Sequence, residues 1–338
     1  MEHSLKIHTD MGDYPVIITD NSFADIRNFV TGKCMIVTDS NVEPLYLDKL
    51  KATLTGIDTF SITVPAGEQS KCKERLFDII DSLAQLDFNR TDTIIALGGG
   101  VVGDLTGLAA GLYMRGIRLV MVPTTLLSMV DSSCGGKVAV NHDMGKNMIG
   151  MFYQPVCVAI NMSTLSTLEK EQIACGAAEM IKYGCIYNKD IFDLLENKNN
   201  LLLPNTIKDC INAKDYYVAN DTRDKGIRMM LNFGHTIGHC VEKQTGILHG
   251  QAVAIGMYYE AVLGEYMGIT KAGSGEKIKN MLIKYNLPYM MPENTDWKRF
   301  LLHDKKSGKN GITFALVKEI GQGVLVPIDY DKLKELLK

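Results

Sequence analysis

Residues 93 to 104 read TIIALGGGVVGD, and this stretch decides the fold class of the chain. Its first five residues form a short, β-branched apolar run, which is typical of a strand buried on both faces of a parallel sheet. The glycines after it allow a tight turn straight into a helix, whose free N–H groups favour a phosphate. A strand, a glycine-rich turn and a helix in this order therefore predict a dinucleotide-binding turn of the Rossmann type.

The glycine spacing fits that motif only in part. Gly98, Gly100 and Gly103 satisfy G-x-G-x-x-G, but the turn does not follow the first strand of the chain. No acidic residue ends a strand about 20 residues later, where the motif has its ribose-binding carboxylate. We therefore expect that carboxylate at Asp39, which ends the earlier apolar run 33–39. A tight turn with no ligand is the alternative interpretation.

Strand and helix signals alternate on both sides of this turn. Strand-like runs cover residues 15–19, 33–39, 58–64, 93–97 and 118–122, with helical spacing at 71–86. This alternation predicts a Rossmann-like α/β domain over residues 1–156. Helical periodicity then dominates, so we expect a mainly α-helical second domain over residues 157–338. Its helical signals cover 170–187, 189–196, 204–220, 231–244, 250–267 and 275–285, and strand-like runs follow at 313–317 and 323–326.

Composition excludes several classes of protein. A net charge of −3 with scattered Lys and Arg gives no reason to expect nucleic acid or a membrane as partner. No apolar stretch has the length of a membrane helix, and the polar N-terminus does not resemble a signal peptide. The eight cysteines form no C-x-x-C pair and favour buried thiols in a reducing cytoplasm.

A histidine-rich segment stands out in the second half. Residues 232–250 read NFGHTIGHCVEKQTGILHG and contain His235, His239 and His249. On a helix, residues four apart lie on one face, so the first two imidazoles together with the third predict a metal site. Polar histidines on an amphipathic helix, satisfied by backbone groups, are the alternative.

Cations recur in loops rich in Gly, Ser and Asn. Lys137 and Lys146 lie in such loops, and Glu179 and Lys182 are one helical turn apart. Further cations are Lys214, Arg228, Lys305 and Lys306. A surface salt-bridge network explains any one of them, but the number in glycine-flanked settings favours an anionic small molecule.

Nine motifs in order carry a family resemblance. They are GEQSK (67–71), GGGVVGDLTG (98–107), YMRG (113–116), PTTLL (123–127), VDSSCGGK (130–137), GKNMIG (145–150), GAAEMIKYG (176–184), LNFGHTIGHCVE (231–242) and LHGQAVAIGM (248–257). Together they closely resemble the 3-dehydroquinate synthases of the sugar-phosphate cyclase superfamily. The resemblance implies an N-terminal NAD-binding α/β domain, a C-terminal α-helical domain with one divalent metal, zinc or cobalt, and a cytoplasmic homodimer. It also implies a lyase of the shikimate pathway, on the route to chorismate and aromatic amino acids.

The implied reaction converts 3-deoxy-D-arabino-heptulosonate 7-phosphate into 3-dehydroquinate and phosphate. It proceeds by transient oxidation with NAD, β-elimination of phosphate, re-reduction and intramolecular aldol closure. By position, the resemblance implies the metal ligands Glu179, His235 and His249, and the catalytic groups His239, Asp224 and Lys182. His239 thereby changes from ligand to proton handler.

The resemblance also implies two binding sets. The NAD set is Asp39, Asn41, Glu68, Lys71, Gly99, Gly100, Val101, Gly103, Asp104, Thr124, Thr125, Lys137, Lys146, Thr164 and Thr167. The substrate set is Arg115, Asp131, Lys137, Asn147, Lys182, Lys214, Arg228, Asn232, His249, Lys305 and Lys306. There are three alternatives. The first is another cyclase, such as a 2-deoxy-scyllo-inosose synthase; the others are a metal-dependent polyol dehydrogenase and a non-catalytic relative.

Overall fold

A computed structural model describes residues 3–293, 295–303 and 311–336. The chain divides into two compact units, residues 1–169 and 170–338. Within the described ranges, no helix has the length and apolar character that crossing a membrane requires.

Unit 1 is an α/β unit built on one large sheet. Its strands are β1 (His3–Ile7), β2 (Tyr14–Thr19), β3 (Cys34–Asp39), β4 (Thr59–Val64), β5 (Thr93–Gly98), β6 (Arg118–Pro123), β7 (Lys137–His142), β8 (Gly145–Phe152) and β9 (Cys157–Asn161). Its helices are α1 (Asp48–Thr53), α2 (Lys73–Gln85) and α3 (Gly100–Leu112), with short helical turns at Ala24–Phe29, Glu43–Leu47, Glu68–Ser70, Tyr113–Arg115, Ser128–Ser132 and Met162–Thr167.

The seven-stranded sheet has the order β1-β2-β9-β6-β5-β3-β4. Only β1 pairs antiparallel, with β2, and the other neighbours are parallel. All six residues of β5 are buried, as expected for a central strand covered on both faces. One core cluster packs buried residues of β3, β5 and β6 against those of α1. The predicted Rossmann-like architecture is thus confirmed.

Unit 2 is mainly helical. Its helices are α4 (Lys170–Ile186), α5 (Lys189–Leu194), α6 (Pro204–Asn220), α7 (His235–Thr245), α8 (His249–Tyr266), α9 (Ser274–Lys284), α10 (Trp297–His303) and α11 (Tyr330–Leu336), with short turns at Lys198–Asn200 and Ile227–Asn232. Strands β10 (Gly311–Glu319) and β11 (Gln322–Asp329) form an antiparallel hairpin. A core cluster packs side chains of α7 and α8 against this hairpin.

The predicted domain boundary lies too early in the chain. Residues 157–161 form β9, which pairs in parallel with β2 and β6 inside the sheet of unit 1, and the units divide after Glu169. The sequence pattern also misses the β7–β8 hairpin. Most of β8 is exposed, so its residues lack the apolar alternation that marks a strand.

Candidate active site

The carboxyl ends of neighbouring strands gather the first group of candidate residues. Strands β3, β5 and β6 end at Asp39, Gly98 and Pro123, so the residues after them share one edge of the sheet. From β3 the chain crosses to β4 on one side, and from β5 it crosses to β6 on the other. Such a reversal opens the crevice in which doubly wound sheets bind ligands. We call these residues the sheet-edge site.

The glycine-rich turn packs closely against the segment that follows β6. Gly99 directly precedes α3, and a Cβ on it would lie 3.0 Å from the Thr125 side chain. A Cβ on Gly100 would lie 3.1 Å from Ser132 Oγ. The Thr124 N–H donates to the Gly98 carbonyl at 3.0 Å, which ties the turn to the end of β6. Gly99 and Gly100 are half-buried and carry no side chain that would cover the N–H groups at the start of α3, so the residues present fit a dinucleotide phosphate.

A polar network lies beside the turn. Lys71 is ion-paired with Asp104, and its Nζ donates to Asn147 Oδ1 at 2.5 Å. Asn141 donates to Glu68 Oε1 at 2.7 Å and accepts the Asn147 N–H at 2.9 Å. The structure thus brings together four residues of the two binding sets. It adds Asn141, which sequence reasoning missed because an Asn in an exposed hairpin carries no distinctive signal.

The remaining candidates of unit 1 lie at or near the same edge, with two exceptions. Asp39 accepts the N–H of Asn41 at 2.9 Å. Val101 and Gly103 lie in the first turn of α3, Asp131 in the turn after β6, Lys146 on β8, and Thr164 and Thr167 after β9. Lys137 lies at the start of β7, beside the second half of α3 rather than at the glycine turn. Arg115 follows the far end of α3, so it lies at the opposite edge of the sheet.

Three helices of unit 2 bring a carboxylate and two imidazoles together. Glu179 lies on α4, while His235 and His249 are the first residues of α7 and α8. Each offers one ligand atom, and these atoms lie within 4.8 Å of one another. The distances from Glu179 Oε1 are 3.7 Å to His235 Nε2 and 3.8 Å to His249 Nε2. We call these three residues the Glu–His site.

Close helix packing creates this geometry. Gly234 adopts φ 81° immediately before α7, and a Cβ on Gly256 of α8 would lie 1.8 Å from the Gly234 carbonyl. A Cβ on Gly250 would lie 2.4 Å from Cys175 Cα on α4. Because no other residue permits these contacts, the glycines beside the histidines hold the three helices together.

A buried carboxylate fixes the start of α7. Glu260 of α8 accepts the Gly234 N–H at 2.7 Å and the Ile237 N–H at 3.0 Å, which satisfies two unpaired donors of the first turn. Burial raises the pKa of Glu260 to about 8, against the opposing effect of these hydrogen bonds. Glu260 was not anticipated from the sequence, since it lies inside an apolar helix with no motif around it.

The Glu–His site fits a divalent cation. Glu179 has no exposed surface, and within the described part of the chain neither of its oxygens accepts a hydrogen bond. Glu179 also forms an ion pair with Lys182 on the next helical turn. Burial lowers the pKa of His235 well below its usual range, and the positive charge of Lys182 lowers it further, so this imidazole is neutral as a ligand must be.

His239 lies beside this site without belonging to it. Its ring is 5.4 Å from that of His235 and 5.9 Å from that of His249, centroid to centroid, and it is exposed. The three-histidine site first suggested by the spacing is therefore wrong in composition, because Glu179 and not His239 completes the group. His239 instead shares a second group with Glu242 and His249.

Three cations of the substrate set are buried in unit 2. The exposed fractions of Lys182, Lys214 and Arg228 are 1%, 5% and 1%, and such burial is rare for charged side chains. For these three residues, it excludes the alternative of a salt-bridge network on the surface. Arg228 donates from Nη1 to the Thr222 carbonyl at 2.6 Å. Asp224 lies in the preceding loop with φ 55°, and Asn232 ends the turn that begins at Ile227. Lys305 and Lys306 lie outside the described residues.

Similar structures define the class of protein. A 2-epi-5-epi-valiolone synthase from Streptomyces hygroscopicus with NAD⁺ and Zn²⁺ bound matches with a TM-score of 0.86 and 27% identity, covering 96% of this chain and 95% of that one. A 2-deoxy-scyllo-inosose synthase complexed with carbaglucose-6-phosphate, NAD⁺ and Co²⁺ matches with a TM-score of 0.88 and 26% identity, covering 99% of both chains. The fold is that of the sugar-phosphate cyclases.

Sequence comparison gives the family within this class. The family models for the N-terminal and C-terminal parts of 3-dehydroquinate synthase match residues 61–175 and 176–307. A 3-dehydroquinate synthase from Psychrobacter cryohalolentis is 41% identical over 348 residues, which covers 97% of this chain and 94% of the relative. This chain belongs to the 3-dehydroquinate synthase family.

Proposed function

We propose that this chain is an enzyme that converts 3-deoxy-D-arabino-heptulosonate 7-phosphate into 3-dehydroquinate and phosphate, with NAD and one divalent metal as cofactors. The reaction is the one that the family resemblance implies for the second step of the shikimate pathway. The observation that carries the proposal is the family match over nearly the whole chain. The buried Glu–His site supports it independently.

Each cofactor has residues suited to hold it. NAD would lie on the sheet-edge site, where the N–H groups at the start of α3 would bind a phosphate and Asp39 offers a carboxylate for ribose. Zinc or cobalt would be held by Glu179, His235 and His249. When bound, NAD supplies a reversible hydride acceptor, and the metal supplies a Lewis acid that polarises the substrate oxygens.

The buried cations of unit 2 would bind the substrate anions. Lys182, Lys214 and Arg228 are charged side chains with almost no exposure, and a phosphate or carboxylate compensates such groups. The ion pair of Lys182 with Glu179 places its ammonium group beside the Glu–His site, where it would orient one substrate anion. Bound in this way, the leaving phosphate keeps a cationic partner as its charge develops.

Two groups of unit 2 are suited to proton transfer. His239 is exposed, next to both ligand histidines, and an imidazole gains and loses a proton near neutral pH. Asp224 is held with a left-handed backbone conformation in the loop before Arg228. We assign proton handling to His239 and proton acceptance to Asp224.

Phosphate release tests the function directly. The full chain, supplied with the heptulosonate phosphate, NAD and Zn²⁺, is expected to release phosphate and form 3-dehydroquinate. Chelation should abolish release, and added Zn²⁺ or Co²⁺ should restore it. No release with any metal would overturn the proposal.

Two control assays separate the alternative activities. Absorbance at about 340 nm should show no net NADH, since a synthase regenerates its cofactor while a polyol dehydrogenase accumulates it. Glucose 6-phosphate should give no product, whereas turnover of this sugar would identify an inosose-type cyclase like the structural neighbour with carbaglucose-6-phosphate.

We further propose that the protein works as a homodimer in the cytoplasm. All eight cysteines are present as thiols, and seven of them are buried, which suits a reducing compartment. Light scattering during gel filtration should give twice the chain mass of 37.4 kDa, and a mass of one chain would contradict the dimer.

A further inference from the structure

Glu242 is a buried carboxylate that the proposed reaction does not use. It lies on α7, with 9% of its side chain exposed. Its Oε2 is 3.2 Å from His249 Nδ1, so it contacts the ring nitrogen that faces away from Glu179. A buried carboxylate at this position needs a role, because its desolvation is costly unless a partner compensates it.

The two ligand histidines differ in what holds their outer nitrogen. Nδ1 of His235 lies 3.2 Å from the Phe233 carbonyl, two residues away on the same backbone. Nδ1 of His249 lies against the side chain of Glu242 instead. The His249 ring is also the less enclosed of the two, with 35% of its side chain exposed against 12% for His235. Its orientation therefore depends more on a hydrogen bond than on packing.

We propose that Glu242 is the positioning residue for the metal ligand His249. The carboxylate accepts the Nδ1–H, which fixes the tautomer whose Nε2 lone pair faces Glu179 Oε1 at 3.8 Å. A carboxylate on the outer nitrogen also increases electron donation through the ring to a bound cation. This inference rests on the Glu–His site of the proposed function and adds a residue outside the ligand set.

The same contacts allow one competing assignment. His239, Glu242 and His249 also form a group whose ligand atoms lie within 4.8 Å of one another. As a second metal site, this group would need His249 Nδ1 as a ligand, while Nε2 serves the first site. The two assignments predict different metal stoichiometries: one ion per chain if Glu242 holds the ring, and two if it is a ligand.

Zinc binding to the full chain tests the proposal. Metal-free wild type, Glu242→Gln and Glu242→Ala are titrated with Zn²⁺ against a chromophoric chelator, without substrate. Glu276→Gln is the matched control, because Glu276 is an exposed carboxylate on α9 that pairs with Lys279. The visible spectrum of each Co²⁺-loaded protein reports ligand geometry, and the melting temperature of each metal-free protein reports folding.

We expect Glu242→Ala to weaken Zn²⁺ binding about 10- to 100-fold. Glu242→Gln should weaken it about 3- to 10-fold, since an amide oxygen still accepts the Nδ1–H but carries no charge. Both variants should alter the Co²⁺ spectrum while the metal-free melting temperatures stay within about 3 °C of wild type. Glu276→Gln should match wild type in every measurement.

Three results would overturn the proposal. The first is a Zn²⁺ dissociation constant of Glu242→Gln that lies within about two-fold of the wild-type value. If Glu242→Ala does not fold, the result for Glu242→Gln decides the question. The second is a lowered metal-free melting temperature with an unchanged Co²⁺ spectrum, which would show a merely structural role. The third is binding of two Zn²⁺ per wild-type chain, one of which Glu242→Gln abolishes. Because no substrate is present, these results are independent of phosphate release.

Discussion

The sheet-edge site and the Glu–His site differ in the groups that form their binding surfaces. In the sheet-edge site, the binding surface is mostly backbone, and the polar side chains around it already bind each other, as Lys71 does with Asp104 and Asn147. In the Glu–His site, the carboxylate of Glu179 is buried, and within the described residues it accepts no hydrogen bond. The polar groups of the first site thus pair with each other, whereas in the second a buried carboxylate, already paired with Lys182, faces two imidazoles in a donor set that suits a metal ion. Changes in the Glu–His site should therefore have the larger effects.

Removal of the shared carboxylate should have the largest effect. Glu179→Gln keeps the shape of the side chain but removes the charge to which both imidazoles are turned. We expect kcat/KM to fall at least about 10³-fold, a loss of about 4 kcal/mol in transition-state stabilisation, with loss of bound Zn²⁺. Phosphate release and metal content measure the two effects. Activity within about ten-fold of wild type, with metal retained, would remove Glu179 from the ligand set.

A side chain in the glycine turn should have the next largest effect. Gly99→Val places a Cβ 3.0 Å from the Thr125 side chain, which is tight enough to displace the turn. Its methyl groups would also cover the N–H groups to which a phosphate would bind. We expect NAD to bind about 10- to 100-fold more weakly, measured by calorimetry, with Zn²⁺ affinity unchanged. Unaltered NAD affinity would mean that the dinucleotide lies elsewhere.

Loss of the buried lysine should have a moderate effect. Lys71→Met removes the ammonium group that is ion-paired with Asp104 and donates a hydrogen bond to Asn147. We expect about 2 kcal/mol of destabilisation, seen as a melting temperature about 4–8 °C lower, and NAD binding about 10-fold weaker. Lys73→Met is the control, because Lys73 lies only two residues further along the chain, at the start of α2, and is two-thirds exposed. Equal melting temperatures for the two variants would contradict a structural ion pair.

The smallest effect concerns the pH dependence of stability. Glu260 has a pKa of about 8 when folded because of burial, above its ordinary value of 4.5. Below about pH 4.5 both states are protonated, and as the pH rises toward about 8 the unfolded state ionises first, so this group progressively destabilises the fold. Glu260→Gln weakens the contacts with the backbone N–H groups of α7, and it also removes the ionisation that destabilises wild type at high pH.

The difference between wild type and Glu260→Gln should therefore narrow with pH. We expect the variant to melt a few degrees lower at about pH 5.5 and closer to wild type at about pH 8.5. Thermal unfolding of both metal-free proteins at the two pH values gives the comparison. A gap that is constant or that widens with pH would show that Glu260 has no raised pKa.

The sheet was largely predictable because its strands carry their own signal. The runs predicted at 93–97 and 118–122 are β5 and β6 to within one residue, since a strand buried on both faces is apolar throughout. Strand β9 has the same apolar character, but its place in the sheet depends on pairing with β2 and β6, which lie far away in sequence. The domain boundary was misplaced for that reason.

The Glu–His site was predictable in part. The spacing of His235 and His239 indicated a metal site, and the family resemblance supplied Glu179 as the third ligand. Of the residues that hold these ligands, Glu242 ends one of the nine motifs but received no role from it, and Glu260 carried no signal. Glu242 and Glu260 act only because α7 and α8 pack closely, through contacts that a sequence pattern does not display.

By itself, the sequence determined the central strands, the main helices and the family of this protein, because periodicity and collinear motifs are local properties of the chain. Only the tertiary structure decided which imidazole stands beside which carboxylate. That choice depends on helix contacts at Gly234, Gly250 and Gly256, where the absence of a side chain lets backbones touch. At these contacts, His249 turns one ring nitrogen to Glu179 and the other to Glu242, while His239 remains exposed.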